Sequence, residues 1–379
     1  MKKIFLYVLT LMPLSALAQI SGEPIPNGYY RVKDLATERY MSVVDNKAQP
    51  VEIVSGNAKV DLGAVKMLDD FDENVAHNPA TLCYVQYQGG NYYNLRSHGL
   101  DLYNVTGRQL QALEVTTGKY WIYASVSGIS RYLYDSKLKN NQTPLVSNSN
   151  TGALANNYLW NVYPVDQTTY FGVKPDIQAT NDNSYWAVLY ASFPYKASDS
   201  NPALKFYTVS KVDNNLGYAV IKEITGDVAP QTPVLVRCAG ATPSANKTTL
   251  LDPNTTASYG TNYLIGNYYC NDVTGYHRNV TAYNSSTMRV LGLTSDGRPA
   301  FIKSNISYLP ANKSYLVVGS SAPDNLVIVT EDEYATGIHE LNFTPTTDDA
   351  KAIYDLQGRQ VKNPTKGLYI VNGKKVLVK

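Results

Sequence analysis

Residues 27–43, NGYYRVKDLATERYMSV, carry the pattern from which the fold of the first part of the chain is predicted. The two apolar runs of this stretch, residues 29–32 and 39–43, are rich in tyrosine and β-branched or aliphatic side chains, and a polar segment separates them. Short runs of this composition between turn residues are typical of paired β-strands. Residues 27–43 therefore predict a strand, a turn and a second strand.

Two later segments repeat this pattern, YYNLRSHGLDLY at residues 92–103 and WIYASVSGISRYLYD at residues 121–135. A strand at residues 159–162 closes the series, and we interpret Trp121 and Trp160 as core residues of the repeats. Three strand–turn–strand units predict a β-trefoil over residues 19–166, a fold whose threefold closure removes free sheet edges.

The units start at uneven intervals, which an insertion in the first unit explains. Five apolar side chains between residues 62 and 75 are spaced to lie on one face of a helix. They are Leu62, Val65, Leu68, Phe71 and Val75. The spacing predicts a helix inserted in the first unit.

The rest of the chain also consists of short strand-like runs separated by Gly, Pro and Asn. Such runs at 185–194, 205–209, 232–236, 286–292 and 308–317 predict a β-sandwich over residues 167–330. Residues 331–349 are predicted as a linker. Within residues 350–379, Gln357-Gly358 predicts a turn and Asn372-Gly373 is a strong hairpin signal. The predicted fold class is therefore all-β: an N-terminal β-trefoil, a central β-sandwich and a small C-terminal β-sandwich.

Residues 1–18 have the layout of a secretory signal peptide. Lys2 and Lys3 precede an apolar run that is too short to span a bilayer. Ala16 and Ala18 supply the small residues of a cleavage site, so Gln19 is predicted to begin the mature chain. We expect a protein without a membrane span, exported through the periplasm and either secreted or held at the cell surface.

Composition excludes several functions. The chain has 33 Lys plus Arg against 31 Asp plus Glu, a formal net charge of +2, which is too small to favour binding to nucleic acid. Its 4 His and 3 Cys show no metal-ligand spacing. We therefore predict no metal, no cofactor and no catalytic residue. Cys83 is predicted to be a buried thiol, while Cys238 and Cys270 either form a disulfide or are both buried as thiols.

Binding is better supported, because the chain has 32 Tyr, a residue with an apolar ring and a polar tip. An aspartate follows the second strand of each trefoil unit, at positions 45, 101 and 135. A short carboxylate there can accept hydrogen bonds from sugar hydroxyls, and a neighbouring tyrosine can stack on the sugar ring. The residues predicted to bind a ligand are Asp101, Tyr103, Tyr134 and Asp135. The alternative is that these aspartates form turns by bonding nearby backbone.

The quoted segment 27–43, together with RYLYDS at 131–136 and LWNVYPVD at 159–166, resembles the repeats of ricin-type and fascin-like trefoils. The sugar-binding branch of that family carries a Gln-x-Trp signature near the end of each repeat. This chain departs from the signature, with Lys119-Tyr120-Trp121 and Tyr158-Leu159-Trp160 at the corresponding places. The resemblance implies the trefoil fold and a glycan or another surface ligand as the partner.

Two further resemblances concern export. The segments ASFPY (191–195), TPVLV (232–236) and LPANKSYLVV (309–318) resemble a recurrent module of secreted Bacteroidetes proteins. The tail, with YDLQGRQV (354–361) and KGLYIVNGKKVLVK (366–379), resembles the C-terminal sorting domain of type IX secretion substrates. This implies the secretion machinery as a partner of the tail. The alternative is an ordinary small sandwich retained in the mature protein.

The functional expectation is a non-catalytic secreted or cell-surface protein of the binding or adhesion type, with the trefoil engaging glycans. The alternative is a secreted hydrolase that acts on polysaccharide or peptide, with its site in the central region.

Overall fold

The computed structural model describes residues 24–45, 65–98, 100–101, 110–116, 118–126, 129–135, 145–147, 158–272, 278–336, 339–340, 353–371 and 374–378. Strands make up 45% and helices 7%, which confirms the all-β prediction. The chain forms two compact units. The first comprises residues 1–171 with 271–279, and the second comprises residues 172–270 with 280–379.

Within the described residues, the first unit contains eleven strands. They are β1 (Gly28–Asp34), β2 (Tyr40–Val43), β3 (Val65–Leu68), β4 (Cys83–Gly89), β5 (Tyr92–Ser97), β6 (Leu100–Asp101), β7 (Leu110–Thr116), β8 (Lys119–Val126), β9 (Ile129–Tyr134), β10 (Leu145–Ser147) and β11 (Trp160–Pro164).

Six of these strands form a closed ring. In order they are β1, β4, β5, β7, β8 and β11, each antiparallel to the next, and β11 pairs back onto β1. The strand that follows β1, β5 and β8 pairs in each case with its predecessor. These pairings reproduce the three predicted strand–turn–strand units and close them as a β-trefoil.

Buried and partly buried side chains alternate along the strands of the closed ring. Because successive side chains of a strand point to opposite sides, this alternation distinguishes an inner face from an outer face. Tyr120 and Ile122 on β8 are buried, whereas Trp121 and Tyr123 between and after them are only partly buried. Trp160 on β11 is fully buried and its Nε1 donates to the Leu133 carbonyl at 3.1 Å. Trp160 is thus a core residue, as predicted, but Trp121 lies on the outer face.

The predicted helix in the first unit is largely wrong. Val65–Leu68 forms β3 and pairs with β2, so the apolar stripe there alternates along a strand. Only Phe71–Val75 is helical, as one π-helical turn capped by Asp70, whose side chain accepts from the Glu73 backbone N–H. Leu62 lies outside the described residues. Residues three apart lie on opposite faces of a strand, so Val65 and Leu68 share no face in β3, and pairing with β2 overrides the helical spacing.

The second unit contains the remaining strands. They are β12 (Ile177–Gln178), β13 (Tyr185–Leu189), β14 (Tyr195–Ala197), β15 (Lys205–Asp213), β16 (Tyr218–Ile224), β17 (Val234–Cys238), β18 (Thr248–Leu250), β19 (Leu264–Asn267), β20 (Met288–Leu293), β21 (Pro299–Ile302), β22 (Lys313–Val317), β23 (Asn325–Thr330), β24 (His339–Glu340), β25 (Ile353–Tyr354), β26 (Gly367–Val371) and β27 (Lys374–Val378).

Ten of these strands form one sheet in the order β12-β13-β17-β15-β16-β23-β21-β20-β22-β19. The sheet curls on itself, since the Tyr190 backbone N–H after β13 donates to the Asn312 carbonyl before β22. A single core fills the curl and combines Val188 and Leu235 from one end with Leu264 and Leu316 from the other. The result is the sandwich-like arrangement predicted for this region.

The C-terminal strands form a separate sheet in the order β24-β27-β26-β25 around a small core of Ile353, Tyr369, Val371 and Val376. The predicted turn at Gln357-Gly358 is present: Gly358 has a φ of 81° and the Asp355 backbone N–H donates to the Arg359 carbonyl. Asn372 and Gly373 lie outside the described residues, and the strands on either side of them are antiparallel.

Part of the predicted linker has structure. Residues Glu331–Thr336 form a short helix, α1, and His339–Glu340 form β24, which pairs parallel with β27. Within the described ranges, no helix has the length and apolar character needed to cross a membrane.

Candidate functional site

Four aromatic side chains lie side by side on the outside of the trefoil, and we call this group the aromatic face. Trp121 and Tyr123 belong to β8, and Tyr132 and Tyr134 belong to β9, the strand paired with it. The Tyr132 ring packs against both Trp121 and Tyr123, with ring centroids 5.6 Å and 5.2 Å apart. All four side chains are partly buried, so each presents part of its ring to solvent.

Two further tyrosines extend the aromatic face. Tyr158 stacks on Tyr134 with ring centroids 4.8 Å apart and an interplanar angle of 23°. At the other end, Tyr92 is 43% exposed. Tyr92, residue 111 of β7, Tyr123 and Tyr132 are successive cross-strand neighbours and so form one row across the sheet. The face therefore spans four neighbouring strands.

Two tyrosines of the face, Tyr123 and Tyr134, have a raised pKa and keep their phenolic protons at neutral pH. Burial raises the pKa of Tyr123 above its usual range, and the neighbouring phenols of Tyr132 and Tyr92 raise it further. Burial also raises the pKa of Tyr134, with Tyr158 as the second cause. A neutral phenol donates one hydrogen bond and also accepts, so these side chains offer polar tips beside their apolar rings.

Asp135 lies at the end of β9, directly after the aromatic face, but its carboxylate is buried, with only 2% of the residue exposed. Arg39 holds it from two sides: Nε donates to Oδ2 at 2.8 Å and Nη2 pairs with Oδ1. A two-pronged arginine–carboxylate pair of this kind is strong and directional. The structure therefore gives Asp135 a place in the framework of the trefoil, and its binding of a ligand stays a prediction.

A second carboxylate lies close to this ion pair. Asp34 is fully buried, and its Oδ1 accepts from the backbone N–H groups of Ala36 and Thr37, both at 2.9 Å. The Thr37 hydroxyl oxygen lies 3.1 Å from Asp34 Oδ1 and 2.5 Å from Asp135 Oδ2. One hydroxyl can donate to only one of them at a time. Among the described residues, Asp34 Oδ2 has no hydrogen-bond partner.

Burial raises the pKa of Asp34 to about 6, an effect that the three hydrogen bonds to Oδ1 reduce and the charge of Asp135 increases. We call Asp34, Thr37, Arg39 and Asp135 the buried carboxylate cluster. It contains two acidic groups and one cation, so the charge of Asp135 adds to the effect of burial in raising the pKa of Asp34.

The other predicted site residues are placed as follows. Asp101 is the second residue of β6 and pairs with Arg96 of β5 in the register, but its side chain is outside the described set. Tyr103 lies outside the described residues, as do Ala16, Ala18 and Gln19. Tyr134 belongs to the aromatic face. The structure thus brings Tyr134 and Asp135 together, one facing solvent and one facing the interior.

Of the aromatic face, sequence reasoning singled out Tyr134 alone, and two of the residues that it missed are instructive. Trp121 was assigned to the core, although its alternation with Tyr120 and Ile122 along β8 was the signal that it faces outward. Arg39 was read only as part of a strand, and its pairing with a residue 96 positions away has no local signal.

The two buried cysteines of the described residues are not activated for nucleophilic attack. Burial raises the pKa of both Cys83 and Cys238 to about 12, which disfavours the thiolate needed for nucleophilic attack. Within the described part of the chain, Cys238 and Cys270 do not form a disulfide. Nor does any cluster of three or more His, Cys, Asp or Glu side chains in that part assemble as a metal site.

The protein is therefore all-β, with a trefoil as its first unit and a large curled sheet in its second unit. No family model matches the chain, and no curated protein matches it. Among solved structures, the chain is similar to a designed threefold-symmetric protein, ThreeFoil, at 12% identity. That likeness covers 37% of this chain and 100% of the designed one, with a TM-score of 0.25. The trefoil assignment rests on the closed pairing of β1, β4, β5, β7, β8 and β11.

Proposed function

We propose that this protein is a non-catalytic binding protein of the cell exterior and that its trefoil engages glycans through the aromatic face. The observation that supports this most is the grouping of Trp121, Tyr123, Tyr132 and Tyr134 on adjoining strands with their rings partly open to solvent. Contact of so much aromatic area with water is unfavourable, and exposed aromatic groups of this kind are typical of interaction sites.

A sugar suits this surface chemically. One face of a sugar ring presents C–H groups that pack on an aromatic ring, while its rim of hydroxyls needs hydrogen-bond partners. The rings of Tyr123 and Tyr132 supply the first, and the hydroxyl groups at their tips supply the second. Because the rings are already held by their mutual packing, little conformational freedom is lost on binding.

Replacing Tyr123 by alanine is expected to weaken glycan binding roughly tenfold or more, since it removes a central anchor of the face. The measurement is a glycan-array screen of the full chain, followed by titration of the best glycan. Tyr123→Phe removes only the hydroxyl, so comparing the two variants separates stacking from hydrogen bonding.

Tyr84→Ala is the matched control. Tyr84 is also a partly buried tyrosine on the outside of the trefoil, and it packs edge-on against Tyr29 with ring centroids 5.2 Å apart. It lies on β4, away from the aromatic face, so its loss should lower stability similarly and leave affinity unchanged. Equal binding by the parent and Tyr123→Ala would remove the aromatic face as the site. In the same assay, Asp101→Asn tests whether the predicted carboxylate belongs to it.

A measurement of catalytic turnover distinguishes the binding protein from the alternative, a secreted hydrolase. A binding protein leaves polysaccharide and peptide libraries intact, whereas product formation by the full chain, together with an empty glycan array, would reverse the proposal. The cavity of the second unit, described below, is one candidate location for a site in the central region.

For localisation, we infer export by the N-terminal segment and delivery to the surface or medium through the C-terminal tail. Deleting residues 350–379 removes β25, β26 and β27 and should trap the protein in the periplasm. Fractionation and protease accessibility of whole cells measure this. Unchanged surface delivery of the truncated chain would show that the tail is a structural element only.

A further inference from the structure

The second unit contains a cavity of about 360 Å³ on the inner face of the ten-stranded sheet. This volume falls in the range of small-molecule sites, roughly 300–1,000 Å³. Trp186 of β13 and Tyr207 of β15 line it, with their ring centroids 6.1 Å apart and each residue 6% exposed. The cavity thus has an aromatic wall formed where the core of the sheet opens to solvent.

The aromatic wall is held in a fixed position. Trp186 Nε1 donates to the Ser184 hydroxyl at 2.7 Å, and that hydroxyl donates to Asp182 Oδ1 at 2.6 Å. The same carboxylate oxygen also accepts from the Ser184 backbone N–H at 2.9 Å. Asp182 lines the cavity, but this carboxylate oxygen already serves the turn that orients the indole.

The second carboxylate at the cavity is engaged in the same way. Glu333 Oε2 accepts from the backbone N–H of Thr330 at 2.6 Å and from its hydroxyl at 3.0 Å. Both acidic side chains of the cavity therefore bind groups of their own segment.

Of the two arginines that line the cavity, one has an acidic partner and the other, within the described part of the chain, does not. Arg298 Nε donates a hydrogen bond to Asp296 Oδ2 at 2.8 Å. Arg237 is the cross-strand partner of Trp186, and its guanidinium carbon lies 5.8 Å from the centre of the indole. Among the described residues, the exposed guanidinium of Arg237 makes no hydrogen bond or ion pair. It therefore presents an unused set of N–H donors directly beside the aromatic wall.

We propose that this cavity is a second binding site, one that takes a small carboxylate carried on a flat apolar ring. The guanidinium of Arg237 matches a carboxylate with two parallel N–H···O bonds. The ring of the ligand lies against Trp186 and Tyr207, where apolar area is removed from water. This site belongs to a different unit from the aromatic face, so either site can fail without the other.

The test uses three probes with the full chain: benzoate, its neutral isostere benzamide, and phenyl phosphate. Calorimetric titration should show saturable 1:1 binding of benzoate and roughly tenfold weaker binding of benzamide. Arg237→Gln should weaken benzoate roughly tenfold or more and leave benzamide unchanged, since the aromatic wall remains. Arg237→Lys keeps the positive charge but lacks the planar guanidinium, so its affinity for benzoate should lie between those of the parent and the glutamine variant.

Arg359→Gln is the control, because Arg359 is an exposed arginine of the C-terminal sheet and should leave benzoate binding unchanged. Retained benzamide binding by Arg237→Gln shows that the cavity is intact in that variant. The proposal is overturned if benzoate does not bind saturably, if benzamide binds as tightly as benzoate, or if Arg237→Gln leaves benzoate affinity unchanged. Tighter binding of phenyl phosphate than of benzoate would overturn the assignment to a carboxylate.

Discussion

Replacing Arg39 by methionine is expected to lower the free energy of unfolding of the trefoil by about 3–5 kcal/mol, because it leaves a buried charge without its partner. Asp135 is 2% exposed and depends on Arg39 at both carboxylate oxygens. Asp34 lies nearby and adds a second negative charge. The measurement is urea unfolding of the full chain, with hydrogen exchange of the β1 and β11 amides reporting the trefoil separately.

Two companion variants make this prediction specific. Arg96→Met changes an exposed arginine on β5 of the same trefoil and should alter stability by no more than about 0.5 kcal/mol. The double variant Arg39→Met with Asp135→Leu removes both charges and should recover most of the loss, because an apolar pair needs no desolvated partner. If Arg39→Met and Arg96→Met are equally mild, the ion pair does not hold the trefoil.

Replacing Asp34 by asparagine is expected to stabilise the protein at neutral pH by about 3 kcal/mol. Burial raises the pKa of Asp34 from 3.8 to about 6, so at pH 7 the folded chain must hold a buried charge that it disfavours. Each unit of pKa corresponds to about 1.4 kcal/mol. Asparagine keeps the acceptor oxygen for Ala36 and Thr37 and has no charge to bury.

The sign of the pH dependence follows from the direction of the shift. Because the folded chain binds the Asp34 proton more tightly than the unfolded chain, this group contributes stability that is fully present below about pH 3.8. That contribution is lost as the pH rises through about 6. The advantage of Asp34→Asn should therefore be largest at pH 7 and disappear near pH 3.5.

Urea unfolding of the parent and Asp34→Asn at several pH values measures this difference. Asp199→Asn is the control, since the Asp199 side chain is 89% exposed and should give a small difference at every pH. A destabilised Asp34→Asn at pH 7 would mean that the ionised carboxylate is stabilised by its hydrogen bonds more than it is penalised by burial.

Much of the fold could be predicted because its signals are local. Strand-length runs with turn residues between them placed the paired strands of the trefoil, and the repeat of one pattern at residues 29, 92 and 121 predicted the threefold closure. The segment from Val65 to Val75 was misassigned because three-residue spacing over one strand and one turn imitates a helix. Only the pairing of β3 with β2 distinguishes them.

The candidate sites were less accessible to sequence reasoning. Tyr134 stays a predicted ligand-binding residue, chosen because it lies beside an aspartate in the sequence, and that adjacency could not show that Asp135 faces inward to Arg39. The cavity of the second unit depends on Trp186, Tyr207 and Arg237, which come from three strands. Their proximity arises from the strand order of the sheet, for which no single segment carries a signal.

The position of β23 also bears on when the second unit can fold. This strand lies inside the ten-stranded sheet, parallel to β16 on one side and antiparallel to β21 on the other. The contact between Tyr218 and Val327 joins residues far apart in the chain, so the sheet stays in two incomplete pieces until the last strand is present. Contacts of such long sequence separation form slowly. The ten-stranded sheet is therefore completed only after residues 325–330 have joined it, which makes its assembly a late event in the folding of the second unit.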